Sequence, residues 1–173
     1  MEKNLLVNYL FSGLAIMISL ISLIWNIVNS ILSKIAKINV ETPIFYRLSA
    51  DSVRGVQEMD PVISLIATNI GTNTRYIKKI VIQCSKTIVK GGIESKEVQY
   101  ISGSHPIKFP IEIQVGKEFQ YEYNLVDFYN EFSKHLKEKD KFKFVITDTH
   151  GKKYSSRNNK FEEVLLALGI SIS

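Results

Sequence analysis

From Leu5 to Ser33 the chain carries no charged residue, and that fact limits where its first segment can go. Read as a helix, the run extends roughly 43 Å at about 1.5 Å per residue. The hydrocarbon core of a bilayer needs only about 20 apolar residues, so one crossing with excess length is expected. No turn residue divides the run into two crossings, since Gly13 stands alone. The apolar stretch of a cleaved signal peptide is about 7–15 residues long and leads to a small-residue cleavage site. This run is longer and lacks such a site. The expectation is a retained transmembrane helix with its flanks at 1–37 and a soluble domain at 38–173.

The flanks set an orientation. Lys3 stands beside Glu2 on one side, and Lys34, Lys37 and then Arg47 follow on the other. Basic residues favour the cytoplasmic side, which places the C-terminal domain in the cytoplasm of a cell, or inner, membrane. The lone cysteine, Cys84, allows no internal disulfide, in keeping with a reducing compartment.

The uncharged run also contains a pattern. Asn8, Ser12, Ala15, Ser19, Ser22, Asn26, Asn29 and Ser33 follow one another at steps of four and three without a break. Bulky apolar residues fill most of the remaining positions. A 3.5-residue repeat of small and polar side chains puts one face of a helix against neighbouring helices, because an amide facing lipid alone is costly. Two readings stay open: a tightly packed homo-oligomer, and a ring of helices whose polar stripe lines a water path.

Beyond Lys37 the period changes to alternation. Strands are expected at Ile38–Leu48 with a break at Pro43, at Pro61–Ile70, and at Arg75–Ser85, the last two pairing as a hairpin. Asp51–Asp60 reads as a polar loop. Shorter strands are expected near Lys86–Lys90 and Glu97–Ile101, then at Ile107–Val115, a turn at Gly116, and Glu118–Leu125. A helix follows with Asp127 as its N-cap and Phe128, Phe132, His135 and Leu136 on one face. Lys141–Asp148 and Lys152–Ser156 form a closing hairpin around Thr149–Gly151, and Phe161–Ile170 is a short helix. The fold class is mainly β: one N-terminal transmembrane helix, then an immunoglobulin-like two-sheet sandwich of seven or eight strands with one inserted helix and a short C-terminal helix. Ser33 to Asn39 has no Gly or Pro, so the helix is expected to run stiffly into the domain.

The order of these segments, with IATNIGTNTRYIKKIVIQ, VGKEFQYEYNL and KFVITDTHGKKYSSR within them, resembles a loose class of small bacterial single-pass membrane proteins with a C-terminal immunoglobulin-like sandwich. In that class an N-x-G turn leads into a strand, and a V-x-D-x-x-G-x-x-Y hairpin recurs. Here Val145, Asp148, Gly151 and Tyr154 match the second pattern with shifted spacing. Several proteins of similar layout act in antiphage defence, and the resemblance carries that implication as analogy.

No enzyme motif is visible. Cys84 has no histidine near it in sequence and reads as a buried structural thiol. His105, His135 and His150 lack metal-ligand spacing, phosphate-loop glycines are missing, and no cofactor is implied. The net charge of +5 divides into +2 from Glu2, Lys3, Lys34 and Lys37 and +3 from the domain, too mild an excess for a duplex-binding protein. The remaining feature is a basic stretch. Lys141, Lys143, Lys152, Lys153 and Arg157, interleaved with Tyr129, His135 and Tyr154, could converge on a cyclic nucleotide or other phosphorylated ligand. The competing reading is a solvated mixed-charge face. The expected function is an oligomeric, non-enzymatic membrane sensor–effector whose cytosolic domain receives a ligand or protein signal and whose helices form a pore or perturb the lipid bilayer. The alternative is a passive anchor whose sandwich docks a partner protein.

Overall fold

The computed structural model describes residues 2–33, 37–50, 57–90, 92–100 and 107–171. Within these, nothing is stated of the side chains at 2–10, 29, 31–33, 49–50, 57–58 and 90. The junction at 34–36, most of the expected loop at 51–56, Ile101, Gly103 and His105 lie outside the described residues.

The first element is one unbroken helix, α1 (Glu2–Ser33). Its most apolar window, Phe11–Val28, has a mean hydropathy of 2.1 and no residue buried within the protein, so α1 is long and apolar enough to cross a membrane.

The rest is mainly strand, arranged as two sheets with two short helices. The expected first strand is two strands, β1 (Ile38–Glu41) and β2 (Ile44–Ala50). Pro43 separates them, since it has no N–H to give the ladder. Both still lie antiparallel along the same edge of β3 (Gln57–Asn69), and the Pro43 carbonyl accepts from Ser64 N at 2.9 Å. Strand β3 starts four residues before Pro61 because Gln57–Asp60 pair with Arg47–Ala50. A polar strand tip of this kind is stabilised by its neighbour and shows little apolar alternation.

The largest correction concerns β4 (Arg75–Lys90). It does not form a hairpin with β3. Both edges of β3 are taken, one by β1 and β2 and the other by β7 (Glu118–Asn124). The chain therefore crosses at 70–74 to the second sheet, where β4 is central. There β4 pairs on one side with β8 (Lys141–Asp148), and on the other with β6 (Ile111–Ile113) and β5 (Ile93–Val98). The separate strand expected at Lys86–Lys90 is the end of β4, past an irregularity between Gln83 and Ile88. Strands β9 (Lys153–Ser155) and β10 (Asn159–Lys160) complete the outer edge of β8.

Alternation places Ile63, Leu65, Ala67, Tyr121 and Tyr123 of the first sheet against Ile80, Ile82, Phe142, Phe144 and Ile146 of the second, all buried. Helix α2 (Leu125–Phe132) closes one side with buried Phe128 and Phe132. Its N-cap is Asn124, not Asp127: the Asn124 Oδ1 accepts from Val126 N at 2.9 Å and Asp127 N at 3.2 Å. The helix ends at Phe132, so His135 and Leu136 lie in the following turns, although Leu136 is still buried. Helix α3 (Phe161–Ala167) buries Phe161, Val164 and Leu165.

Two polar side chains fasten one end of the sandwich. Asn69 is fully buried; its amide donates to the Asn73 and Ile113 carbonyls, both at 2.9 Å, and its Oδ1 accepts from Gly71 N. Asp148 is also fully buried and accepts from His150 N, Lys152 N and the Tyr154 hydroxyl. Gly151 takes φ 84° in that turn, where a side chain would strain the backbone. The recurring Asn-x-Gly and Asp…Gly…Tyr patterns are therefore turn fasteners. Asn69→Ala strands the buried Ile113 carbonyl and releases the 70–73 turn, a loss of about 3 kcal/mol. Asn39→Ala removes only an exposed contact to Glu41 and costs under about 0.5 kcal/mol. Denaturation midpoints of the two variants check this, and equal shifts would contradict it.

Candidate functional site

Three surfaces carry the residues of interest. The first is the stripe on α1. At about 100° per residue, the positions of Asn8, Ser12, Ala15, Ser19, Ser22, Asn26, Asn29 and Ser33 fall within a sector of about 100°. Ser12, Ala15, Ser19, Ser22 and Asn26 are exposed, whereas the side chains of Asn8, Asn29 and Ser33 lie outside the described set. Ser19 donates its hydroxyl to the Ala15 carbonyl at 2.9 Å, which satisfies it within its own helix. Ala15 and Ser19 leave a shallow notch walled by Ile16, Leu20 and Leu23. Such a notch has the shape that receives a side chain from a neighbouring helix.

The second surface is a groove of about 630 Å³ between α2, the turns at 133–140 and α3. Tyr129, Leu136, Phe161, Leu165 and Ile170 supply its apolar lining, with Lys86, Lys137, Lys139, Glu138 and Asp140 at its rim. Tyr129 stacks on Phe161, with ring centroids 6.2 Å apart. Asp140 organises the rim. It accepts from Lys86 Nζ at 2.8 Å and from Lys137 N at 2.8 Å. Burial alone would raise its pKa, but those bonds and the two lysine charges outweigh burial and hold the carboxyl below its usual range. Sequence gave no sign of this groove, because Lys86, Asp140 and Leu165 are distant in the chain and meet only through the pairing of β4 with β8 and the docking of α3.

The third surface is the basic set, which the fold divides. Tyr129 belongs to the groove, and His135 sits in the turn after α2 with its N–H bonded to the Phe132 carbonyl. Lys141 and Lys143 share a face of β8. Lys153 is paired with Glu97 at 3.2 Å, and Arg157 with Glu163 at 3.5 Å. Lys152 lies 5.7 Å from the centre of the Tyr154 ring. Tyr154 itself is buried, with its hydroxyl 3.1 Å from Asp148. Burial, and then that bond, push its pKa up to about 12. Its ring is committed to the fold and gives no open stacking face. The eight residues are thus spread over the groove, the turn after α2, β8 and the 152–157 segment, and two of the cations, Lys153 and Arg157, have carboxylate partners.

Among the described residues, no group of three or more His, Cys, Asp or Glu could hold a metal ion. Cys84 is buried in β4, and burial, with a smaller contribution from Asp140, pushes its thiol up to about 12. A thiol held neutral in this way is a poor nucleophile at physiological pH. No protein-family model matches the chain, and no curated protein matches it.

The raised pKa values imply a pH dependence. The Cys84 thiol and Tyr154 phenol ionise in the unfolded chain near about 8.5 and 10, below their folded values. Their contribution to stability is complete below about pH 8.5 and is lost as pH rises toward about 12. Urea midpoints measured from pH 7 to pH 11 should be level at first and then fall. A midpoint that stays level or climbs across the alkaline range would contradict the burial of both groups.

Proposed function

We propose that this chain is a non-enzymatic, single-pass protein of the cell membrane that assembles through α1. Its β domain, on the cytoplasmic side, receives a signal that the gathered helices convert into a perturbation or permeabilisation of the bilayer. The observation that carries the reading is α1 itself: a helix without a charge from Leu5 to Ser33 and with one narrow stripe of small and polar side chains. Apolar side chains elsewhere on the helix suit lipid, whereas the notch at Ala15 and Ser19 suits another helix. Cytoplasmic placement rests on Lys34 and Lys37. A role in antiphage defence rests on the resemblance in layout to small bacterial membrane-anchored sandwich proteins.

The nature of the signal follows from the domain. A phosphorylated ligand such as a cyclic nucleotide would need the basic residues to converge, and they are dispersed. The groove beside α2 and α3 mixes an apolar floor with both signs of charge, which suits a segment of a protein partner. That observation also supports the second reading, a passive anchor or assembly subunit that docks a partner.

Dye leakage from liposomes carrying the full chain separates the two. The sensor–effector reading expects leakage that falls in the Asn26→Leu, Asn29→Leu variant together with its self-association. The lost amide contacts contribute about 1 kcal/mol or less each, or up to about fivefold each in the association constant. Self-association without leakage, in the presence of any docked partner, would favour the passive anchor. A wild-type chain that is monomeric at every concentration in detergent would refute assembly through α1.

A further inference from the structure

We infer that one end of the β domain is a lipid-contacting rim, in which the turns at 70–74, 114–117 and 149–152 rest on the headgroups of an anionic leaflet. The inference depends on the proposed membrane span and adds to it a particular face of the domain.

Backbone bonds bring these turns together. Ile70 N donates to the Lys37 carbonyl at 3.0 Å, Gly116 N donates to the Asn69 carbonyl at 2.9 Å, and Asn69 N donates to the Lys117 carbonyl at 3.0 Å. Thr149 N donates to the Tyr76 carbonyl at 2.8 Å, which joins the third turn to the first residues of β4. The fasteners Asn69 and Asp148 lie directly beneath, so the rim is held rigidly.

Chain length then fixes where this rim can be. Helix α1 ends at Ser33, and the rim begins at Lys37. Four residues reach at most about 14 Å when fully extended. Helix α1 has 32 residues, roughly 48 Å at about 1.5 Å each, against about 40–45 Å for a bilayer with its headgroups. The helix end therefore reaches the headgroup layer, and the rim stays within one short tether of it whatever the orientation of the domain.

The side chains suit that place. Ile70 and Val115 are each half exposed at the tips of their turns, with 50% of their surface accessible. Lys37, Lys117 and Lys152 are exposed around them. Glu112 and Glu118 stand on the strands leading into and out of the 114–117 turn. Apolar tips ringed by lysines are the arrangement that inserts shallowly at an interface and pairs with anionic headgroups. The opposite end lacks this relation to the helix. Leu48 pairs with Met59, ten residues along β3 from Asn69, or about 33 Å away at about 3.3 Å per residue.

The test uses the full chain in phosphatidylcholine–phosphatidylglycerol vesicles. An environment-sensitive fluorophore is attached through Val115→Cys, Leu48→Cys or Met17→Cys in separate preparations; Met17 lies on the face of α1 opposite the stripe, and the buried, neutral Cys84 thiol is spared. Quenchers are spin-labelled lipids, with the spin in the headgroup for positions 115 and 48 and in the acyl chain for position 17. The expected result is that position 115 loses most of its fluorescence and position 48 loses little. Lys117→Glu with Lys152→Glu should remove most of the quenching at 115. If position 17 is quenched but position 115 is not, the rim inference is wrong and the membrane span stands. If position 17 is not quenched, the span fails and the inference fails with it. Quenching at 115 that survives the double charge reversal would overturn the role of anionic headgroups.

Discussion

A lone apolar helix can satisfy its backbone internally, but it cannot hide its side chains. From Phe11 to Val28 no residue of α1 is buried against the rest of the protein, and Phe11, Met17, Ile21 and Trp25 are each more than 60% exposed. In water this apolar surface would be costly at about 25 cal/mol per Å²; in lipid it costs little, and helices are among the few structures that can cross. On the function proposed above, this constraint assigns the helix to a bilayer, makes the small-and-polar stripe the face that finds a partner, and sets the distance between the domain and the membrane.

The domain resolves a different problem. Its two sheets bury a continuous apolar core, and their junction at one end is closed by buried amide and carboxylate groups. Buried polar groups are tolerated when their bonds are made. Asn69 and Asp148 meet that condition by binding turn backbone. Arg75 comes to 4.0 Å from Asp148, so the charge of the carboxylate has a cation nearby. The bonded turns at one end and the groove lined by α2, the turns at 133–140 and α3 are two distinct surfaces of the domain.

Much of the architecture was legible because it depends on local period. The charge-free run specified α1, alternation specified β3, β7 and β8, and the Gly151 and Gly116 turns were marked by residue type. The failures share a physical cause, which is that pairing partners are not encoded locally. Nothing within 61–85 states that both edges of β3 will be occupied, so a crossover between sheets looks like a hairpin. Asn124 outcompeted Asp127 as N-cap because it stands at the end of a strand, where its side chain can reach forward and accept from two free N–H groups of the first helical turn. The surroundings of the basic residues were hidden for the same reason. Tyr154 points inward to Asp148, and Lys153 and Arg157 find carboxylates that are remote or unremarkable in sequence. The groove at Tyr129, Asp140 and Leu165 could not be read at all from spacing.

The central claim is that α1 lies in a bilayer while the β domain remains outside it. Hydrogen–deuterium exchange of the full chain in lipid nanodiscs tests this most directly. The account predicts that amides from Phe11 to Val28 stay protected long after exposed loop residues such as Arg157 and Asn158 have exchanged, and that this protection disappears if the nanodisc is replaced by denaturant. Fast exchange throughout Phe11–Val28 in intact nanodiscs, with the β domain still protected, would contradict it.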